Sequence, residues 1–455
     1  MRHLLAAAAI LALATPLAAQ ESDAMTSQAT QNADLTIERV FASPGLDGPS
    51  PRQAKLSPDG RYLTLLRNRA DDRERYDLWG YDRQSGEWTM LVDSEALGSG
   101  RELSEDEKMQ RERARVGNLK GIIAYQWNAD GSGVLVPLDG DLYLAKLDGT
   151  VTRLTDTEES ELNPKLSPEG EFVSFVRDRQ LWVGPVGGDA QPITPKESEL
   201  IRWGEAEFVA QEEMGRMTGY WWSPDDRRIA VERFDESMVG IVTRAAIGAT
   251  GTRVFDQRYP VAGSENADVE LYVMDPDGEN RVKVDLAAHQ EPGIYTEVDP
   301  TDFYLARVDW APDGSALYVQ RQNREQTRLD MLRVDPATGA SEVWFTEEAA
   351  RPDYWINLSD NYRFLDDGSL LWWSERDGYG QFYRFDGEDW QQLTSGDEPV
   401  TSLVGINEQT GVFFYQATTN VLTQQIYRAS LDGQTDGALL TDPGFTNSAS
   451  MDRQG

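Results

Sequence analysis

The chain has 455 residues, 39% of them hydrophobic, and no cysteine; it can bury a substantial core, and a disulfide framework, thiolate metal sites and a cysteine nucleophile are excluded. Only two histidines occur, His3 and His289, which excludes a multi-histidine metal centre, and neither metal nor cofactor is expected. Acidic residues number 78 against 43 basic ones, a formal charge of −35; such a surface repels nucleic-acid phosphates and anionic lipid and attracts a cation such as a peptide amino terminus.

In chain order, Met1-Arg2-His3, the apolar run Leu4 to Leu17 and the small pair Ala18-Ala19 have the layout of a secretory signal peptide over residues 1–19. The run is shorter than the roughly 20 residues that span a bilayer, and no later segment is long and apolar enough to do so. Residues 20–34 are polar and without hydrophobic period, which predicts a flexible leader. The mature chain, from residue 20 onward with its folded domain over 35–455, is therefore expected to be exported to a periplasm or the medium.

Repeats then dominate. An apolar residue, a turn of the type S-P-D-G and an alternating strand recur from Leu56, Trp127, Leu166, Trp222, Trp310 and Phe364, and more weakly from Ile406. A second unit follows each, beginning at Asp77, Asp141, Gln180, Glu270, Asp330, Gln381 and Gln425. The turns supply the dihedrals that reverse an antiparallel chain, and the alternation makes strands with one buried face. Two hairpins per repeat form a four-stranded blade that must stack on its neighbours. The expected fold is an all-β, eight-bladed propeller, with seven complete repeats and an eighth begun by Met451 to Gly455. An unfinished blade leaves unpaired strand edges, so a chain of this length is expected to be less stable than one with the ring complete.

Two insertions break the strand pattern. Ser104 with Glu107 in SEDEKMQRERARVG is a capping box opening a short helix. LIRWGEAEFVAQEEMGRMTGYWW predicts a second helix between Glu205 and Met214. Within it, Glu212-Glu213 adjoins an aromatic run; two adjacent carboxylates facing a partly dry cavity seek a cation, and an ammonium has donors for both. A solvated helix face is the alternative, and Glu-Glu also occurs at 158–159 and 347–348. No G-x-S-x-G elbow is present, and His289 lies in the polar stretch DLAAHQEPG, where it reads as a surface residue; no nucleophile–base set can be assembled, so no catalytic residue is assigned.

FVAQEEMGR-x-T-G-Y-W-W-S-P closely resembles the glutamate-pair helix of the dipeptidyl peptidase IV family, within the prolyl oligopeptidase clan of serine peptidases. Further blocks match in order: LTIERVFASPGLDGPSPRQAKLSPDGRYLTLLR at Leu35, RYPVAGSENADVELYV at Arg258, YLARVDWAPDG at Tyr304 and WWSERDGYGQFY at Trp372. The resemblance implies an eight-bladed propeller joined to a C-terminal α/β-hydrolase domain, releasing dipeptides with Pro or Ala second. It assigns Glu212 and Glu213 to the substrate ammonium and an arginine of RERARVG to the substrate carbonyl. Arg111 is the first assignment there, with Arg113 and Arg115 open, and i,i+4 pairing on a charged helix is the competing reading. The hydrolase domain, with its serine, aspartate and histidine, is not in this sequence, so the chain is expected to recognise and gate substrate but not to turn it over alone. The expected partners are peptide amino termini, that hydrolase domain and a second copy of the chain. A free-standing, non-catalytic peptide- or protein-binding propeller is the alternative.

Overall fold

The computed structural model describes residues 35–42, 46, 50–248, 250–288, 302–351, 353–435 and 437–451. The signal and leader segments, His289 and residues 452–455 lie outside them. The chain divides into two compact units, 1–48 and 49–455. In the first, Thr36 caps a short helix, α1 (Ile37–Phe41), by accepting from the Arg39 amide.

The second unit is almost entirely strand. Its first blade runs Arg52–Leu56, Tyr62–Asn68, Arg75–Asp82 and Glu87–Val92, each strand antiparallel to the one before. Blades two to seven occupy 126–153, 162–192, 201–283, 303–348, 363–392 and 400–439, all in sequential order. The fourth carries an extra two-stranded arm, Ile241–Gly248 paired with Gly251–Arg258. Each repeat turn is left-handed at the expected position, from Gly60 (φ 66°) to Gly411 (φ 65°), and Asp226 adopts φ 58° where glycine is replaced. The Asp226 carboxylate accepts from the Glu169 amide at 3.0 Å and from the Ser167 hydroxyl, tying blade four to blade three.

The core lies between blades rather than within them, because a single sheet cannot cover its own faces. One apolar cluster joins Leu66 and Leu78 to Val134 and Tyr143, the next joins Leu142 to Phe175, and the succession continues to Phe382 against Phe413. Met451, where the sequence places an eighth repeat, packs against Gly405: a Cβ there would lie 2.7 Å from that of Met451.

Polar residues close the blades. Threonines after the fourth strands bond back to the third: Thr155 accepts from the Leu142 amide, Thr194 from Leu181, Thr394 from Phe382 and Thr441 from Ile426, at 2.8–3.1 Å. A second device crosses the seams between blades one and two and between three and four. Trp127 donates to the Thr64 hydroxyl at 3.1 Å, the Tyr125 hydroxyl lies 3.0 Å from that same oxygen, and Lys55 donates to the Tyr125 carbonyl. Tyr220, Trp222, Ser174 and Lys165 repeat the arrangement. Each tyrosine hydroxyl also donates to the carbonyl of a bulge residue with φ 50°, Gln53 or Asn163.

Candidate functional site

The insertion after blade one forms α2 (Ser94–Leu97) and α3 (Glu105–Arg113). Ser104 caps α3 by accepting from the Glu107 amide at 3.1 Å, half of the expected capping box; the Glu107 carboxylate turns instead to Arg111 and Ser160. The second insertion gives α4 (Phe208–Glu212), shorter than the spacing predicts because Glu207, not Glu205, caps it. The Glu207 carboxylate accepts from the Val209 and Ala210 amides at 2.5 and 2.7 Å, and burial pushes its pKa up. Ala210 of α4, with Ala206 and Met214 on either side of the helix, rests on Ala306 and Leu358. Gly215 (φ 65°) then turns the chain so that the Arg216 amide reaches the Ala210 carbonyl at 2.9 Å.

The helices meet although 98 residues separate the contacting side chains. Arg113 donates to Gln211 Oε1 at 2.7 Å and lies 5.1 Å from the Phe208 ring centre. The Glu212 carboxylate lies 3.7 Å from Arg113 Nε and 3.8 Å from Arg115. Burial lowers the Arg113 pKa while Glu212 and Glu236 oppose the shift. Glu213, the residue that ends α4, is exposed, and its carboxylate has no partner among the described residues. The structure therefore brings Glu212 together with Arg113 and Arg115. Arg111 is buried and bonded to Glu107, at 2.8 and 3.1 Å, and to the Leu119 carbonyl. That is the i,i+4 pairing the sequence offered as its other reading, and it takes Arg111 from the glutamate pair.

Behind α4 lies a buried ion pair that sequence reasoning missed. Arg216 pairs with Glu232 and donates to the Thr218 and Leu305 carbonyls at 2.9 and 2.8 Å. Burial pushes the Glu232 pKa up to about 7, against the pull of Arg216. Gly215, Arg216, Met217 and Thr218 then form part of the wall of a cavity of about 830 Å³, which α3 and residues of blades two to six complete.

A ring of four-stranded blades around a lined cavity, with helices projecting from blade connections, defines the class: a β-propeller with an axial opening. Residues 128–455 match the family model described as "Dipeptidyl peptidase IV (DPP IV) N-terminal region". The chain belongs to that family. It is 28% identical over 310 residues to Probable dipeptidyl-aminopeptidase B of Aspergillus clavatus, covering 61% of this chain and 33% of the relative. It is 28% identical over 268 residues to dipeptidyl peptidase 8 of Mus musculus, covering 51% and 29%. The solved structure of Porphyromonas gingivalis dipeptidyl peptidase 4 superposes with a TM-score of 0.65 at 23% identity, over 86% of this chain and 53% of that one; at that identity the likeness concerns the fold. The chain spans about a third of the length of these curated relatives. Among the described residues no helix is long and apolar enough to cross a membrane.

Proposed function

We propose that this chain is the substrate-recognition and gating propeller of an exported serine-type dipeptidyl peptidase, in which Glu212 and Glu213 bind the free ammonium of a peptide amino terminus. The observation that supports this most is the convergence of α3 and α4. It sets one glutamate between two arginines and leaves its neighbour exposed and unpartnered. An ammonium brings three donors and one charge, so it satisfies Glu213 and shares Glu212. An anchor at the amino terminus limits cleavage to a fixed distance from the chain end, which makes the enzyme an exopeptidase releasing dipeptides, with Pro or Ala second. Arg113 is the carbonyl-binding arginine in this reading: among the described residues its Nη2 meets only the Met109 sulfur, at 3.9 Å. The serine, aspartate and histidine come from a C-terminal α/β-hydrolase domain of the longer protein, and residues 1–19 direct export. Ile247 and Val254, exposed on the arm of blade four, offer a second copy an apolar contact.

The test compares a Gly-Pro amide reporter bearing a free amino group with its N-acetylated form, in the full-length protein. A charge-assisted bond to a partly buried cation is worth on the order of 2–3 kcal/mol, so acetylation should lower kcat/KM roughly 30- to 150-fold. Equal rates for the two reporters would remove the ammonium anchor.

A further inference from the structure

The inner strands place one residue of each blade, the one before the strand's last apolar residue or its equivalent, beside the axis. In blades one to six these are Lys55, Gln126, Lys165, Trp221, Asp309 and Arg363, and all but Lys55 line the 830 Å³ cavity. Charged groups on that wall are mostly spoken for: Glu107 by Arg111, Glu161 by Arg177, Asp360 by Arg307 and Arg216 by Glu232. Asp309 accepts from the Tyr362 hydroxyl at 2.5 Å, and burial raises its pKa.

Two cations are left over. Lys165 donates to the Tyr220 carbonyl at 2.5 Å with its amine 4.3 Å from the Tyr220 ring centre. Arg363 donates to the carbonyls of Asp360 and Tyr362. Neither has a carboxylate in ion-pair range among the described residues, in a chain whose formal charge is −35. Acids outnumber bases almost two to one, so partners for both cations, the half-buried Lys165 and the exposed Arg363, were abundant. Lys165 is the one that burial sets apart from water; a cation so placed without a counter-charge is costly, and the same setting strengthens its attraction for an anion, while the exposed Arg363 lines the same cavity. The cavity volume falls in the range of sites for small organic molecules.

We propose that the axial cavity is a carboxylate-binding site, in which Lys165 and Arg363 receive an anionic group carried by a peptide or by a free small acid. This site does not depend on the ammonium anchor, since it uses other residues and takes the opposite charge. The amine of Lys165 supplies a signature. Burial, with the nearby Arg216 cation, pulls its pKa down to about 7, so above that value the free site loses its charge. Asp309 and Asp360 are the acids near Arg363, and Gln126 and Trp221 are the uncharged axial residues of the blades flanking Lys165. A bound carboxylate favours the protonated amine, so binding takes up a proton and weakens up to about tenfold per pH unit once pH exceeds about 7.

The experiment is calorimetric titration of the full-length protein with sodium succinate at about pH 6 and about pH 8.5, in two buffers of different ionisation heat. Saturable binding is expected, at least tenfold weaker at the higher pH and accompanied by proton uptake. Lys165→Gln should weaken it about tenfold or more and remove the proton uptake, and Lys165→Arg should keep the binding but lose its pH dependence. Arg363→Gln should weaken it several-fold. Lys55→Gln breaks the equivalent tyrosine contact at a lysine that does not itself line the cavity, so it controls for damage to a blade seam and should leave binding unchanged. N-acetyl-Ala-Ala with a free or amidated carboxyl end separates the sources: a preference for the free acid identifies a peptide terminus, whereas succinate binding without that preference identifies a free acid. The proposal is overturned if neither succinate nor the free-acid peptide binds saturably, or if Lys165→Gln and Lys55→Gln act alike. Glu212→Ala should leave succinate binding intact, which keeps this result separate from the ammonium test.

Discussion

The dipeptide Glu-Glu occurs three times, and three backbones give it three fates. Glu158 and Glu159 sit in a connection, both exposed, their carboxylates without partners among the described residues. Glu347 and Glu348 lie on a strand (Ser341–Glu348), where alternation sends them to opposite faces. Glu347 is consequently buried and accepts from Trp372, Ser374 and Arg376, while Glu348 stays exposed and meets Arg328 at 3.3 Å. Only Glu212 and Glu213 close a helix that another helix overlies. Adjacent acids thus become solvent-facing, structural or, in the proposed role of Glu212 and Glu213, ligand-seeking according to the backbone beneath them and the cations within reach.

The largest effect that tests this contrast is structural. Glu347→Ala leaves a buried indole N–H, a hydroxyl and a guanidinium without their acceptor, and should lower unfolding free energy by about 3 kcal/mol, read by chemical denaturation. Glu212→Ala and Glu213→Ala should do the reverse: each should cost on the order of 2–3 kcal/mol in kcat/KM for a free-amino reporter with little change in melting. A melting loss matching that of Glu347→Ala would place the pair among structural acids. Arg113→Leu should lower kcat/KM roughly tenfold, worth about 1.4 kcal/mol, beyond any effect of Arg111→Leu on the same ratio; the opposite order would return the carbonyl-binding role to Arg111.

Smaller still is a pH effect from Glu232. Its folded pKa of about 7 lies above the ordinary value of 4.5, so between those values the folded chain holds a proton that the unfolded chain releases. Its contribution to stability is therefore present below the lower value and lost as pH rises through the upper one. Glu232→Gln should flatten the stability profile across that window by on the order of 1 kcal/mol; an unchanged slope would show Glu232 ionised throughout. Glu158→Ala and Glu159→Ala should change stability by less than about 0.5 kcal/mol and leave turnover unaltered.

The fold was legible because its turns are obligatory. Asp-Gly and its equivalents mark left-handed positions that few other residues tolerate, and even the Asp226 substitution kept the conformation. The capping role of Ser104 was readable for the same reason: a local bond with a fixed spacing. The threonines that close the blades also left a signal, an apolar residue followed by Thr at 154–155, 193–194, 393–394 and 440–441, which the turn-based reading passed over. The choice among the three arginines was not legible. Arg111 and Arg113 differ by two positions on one helix, hence by opposite faces, and only the placement of α4 decides which face meets a glutamate. Lys165 was equally hidden. Lys55 and Lys165 precede nearly identical turns, L-S-P-D-G and L-S-P-E-G, and make the same contact, yet one lines the cavity and the other does not.

The seam contacts carry an implication for how the ring is assembled. Tyr125 closes onto a hydroxyl 61 residues earlier in the chain, and Tyr220 onto one 46 residues earlier, so each junction requires only the blade just made and the one being made. Such a ring can be knitted during translation from its amino-terminal side, every new blade finding its dock already waiting. Loop closure then stays local at each stitch, and the entropy of joining distant parts of the chain falls on whichever junction finally completes the circle.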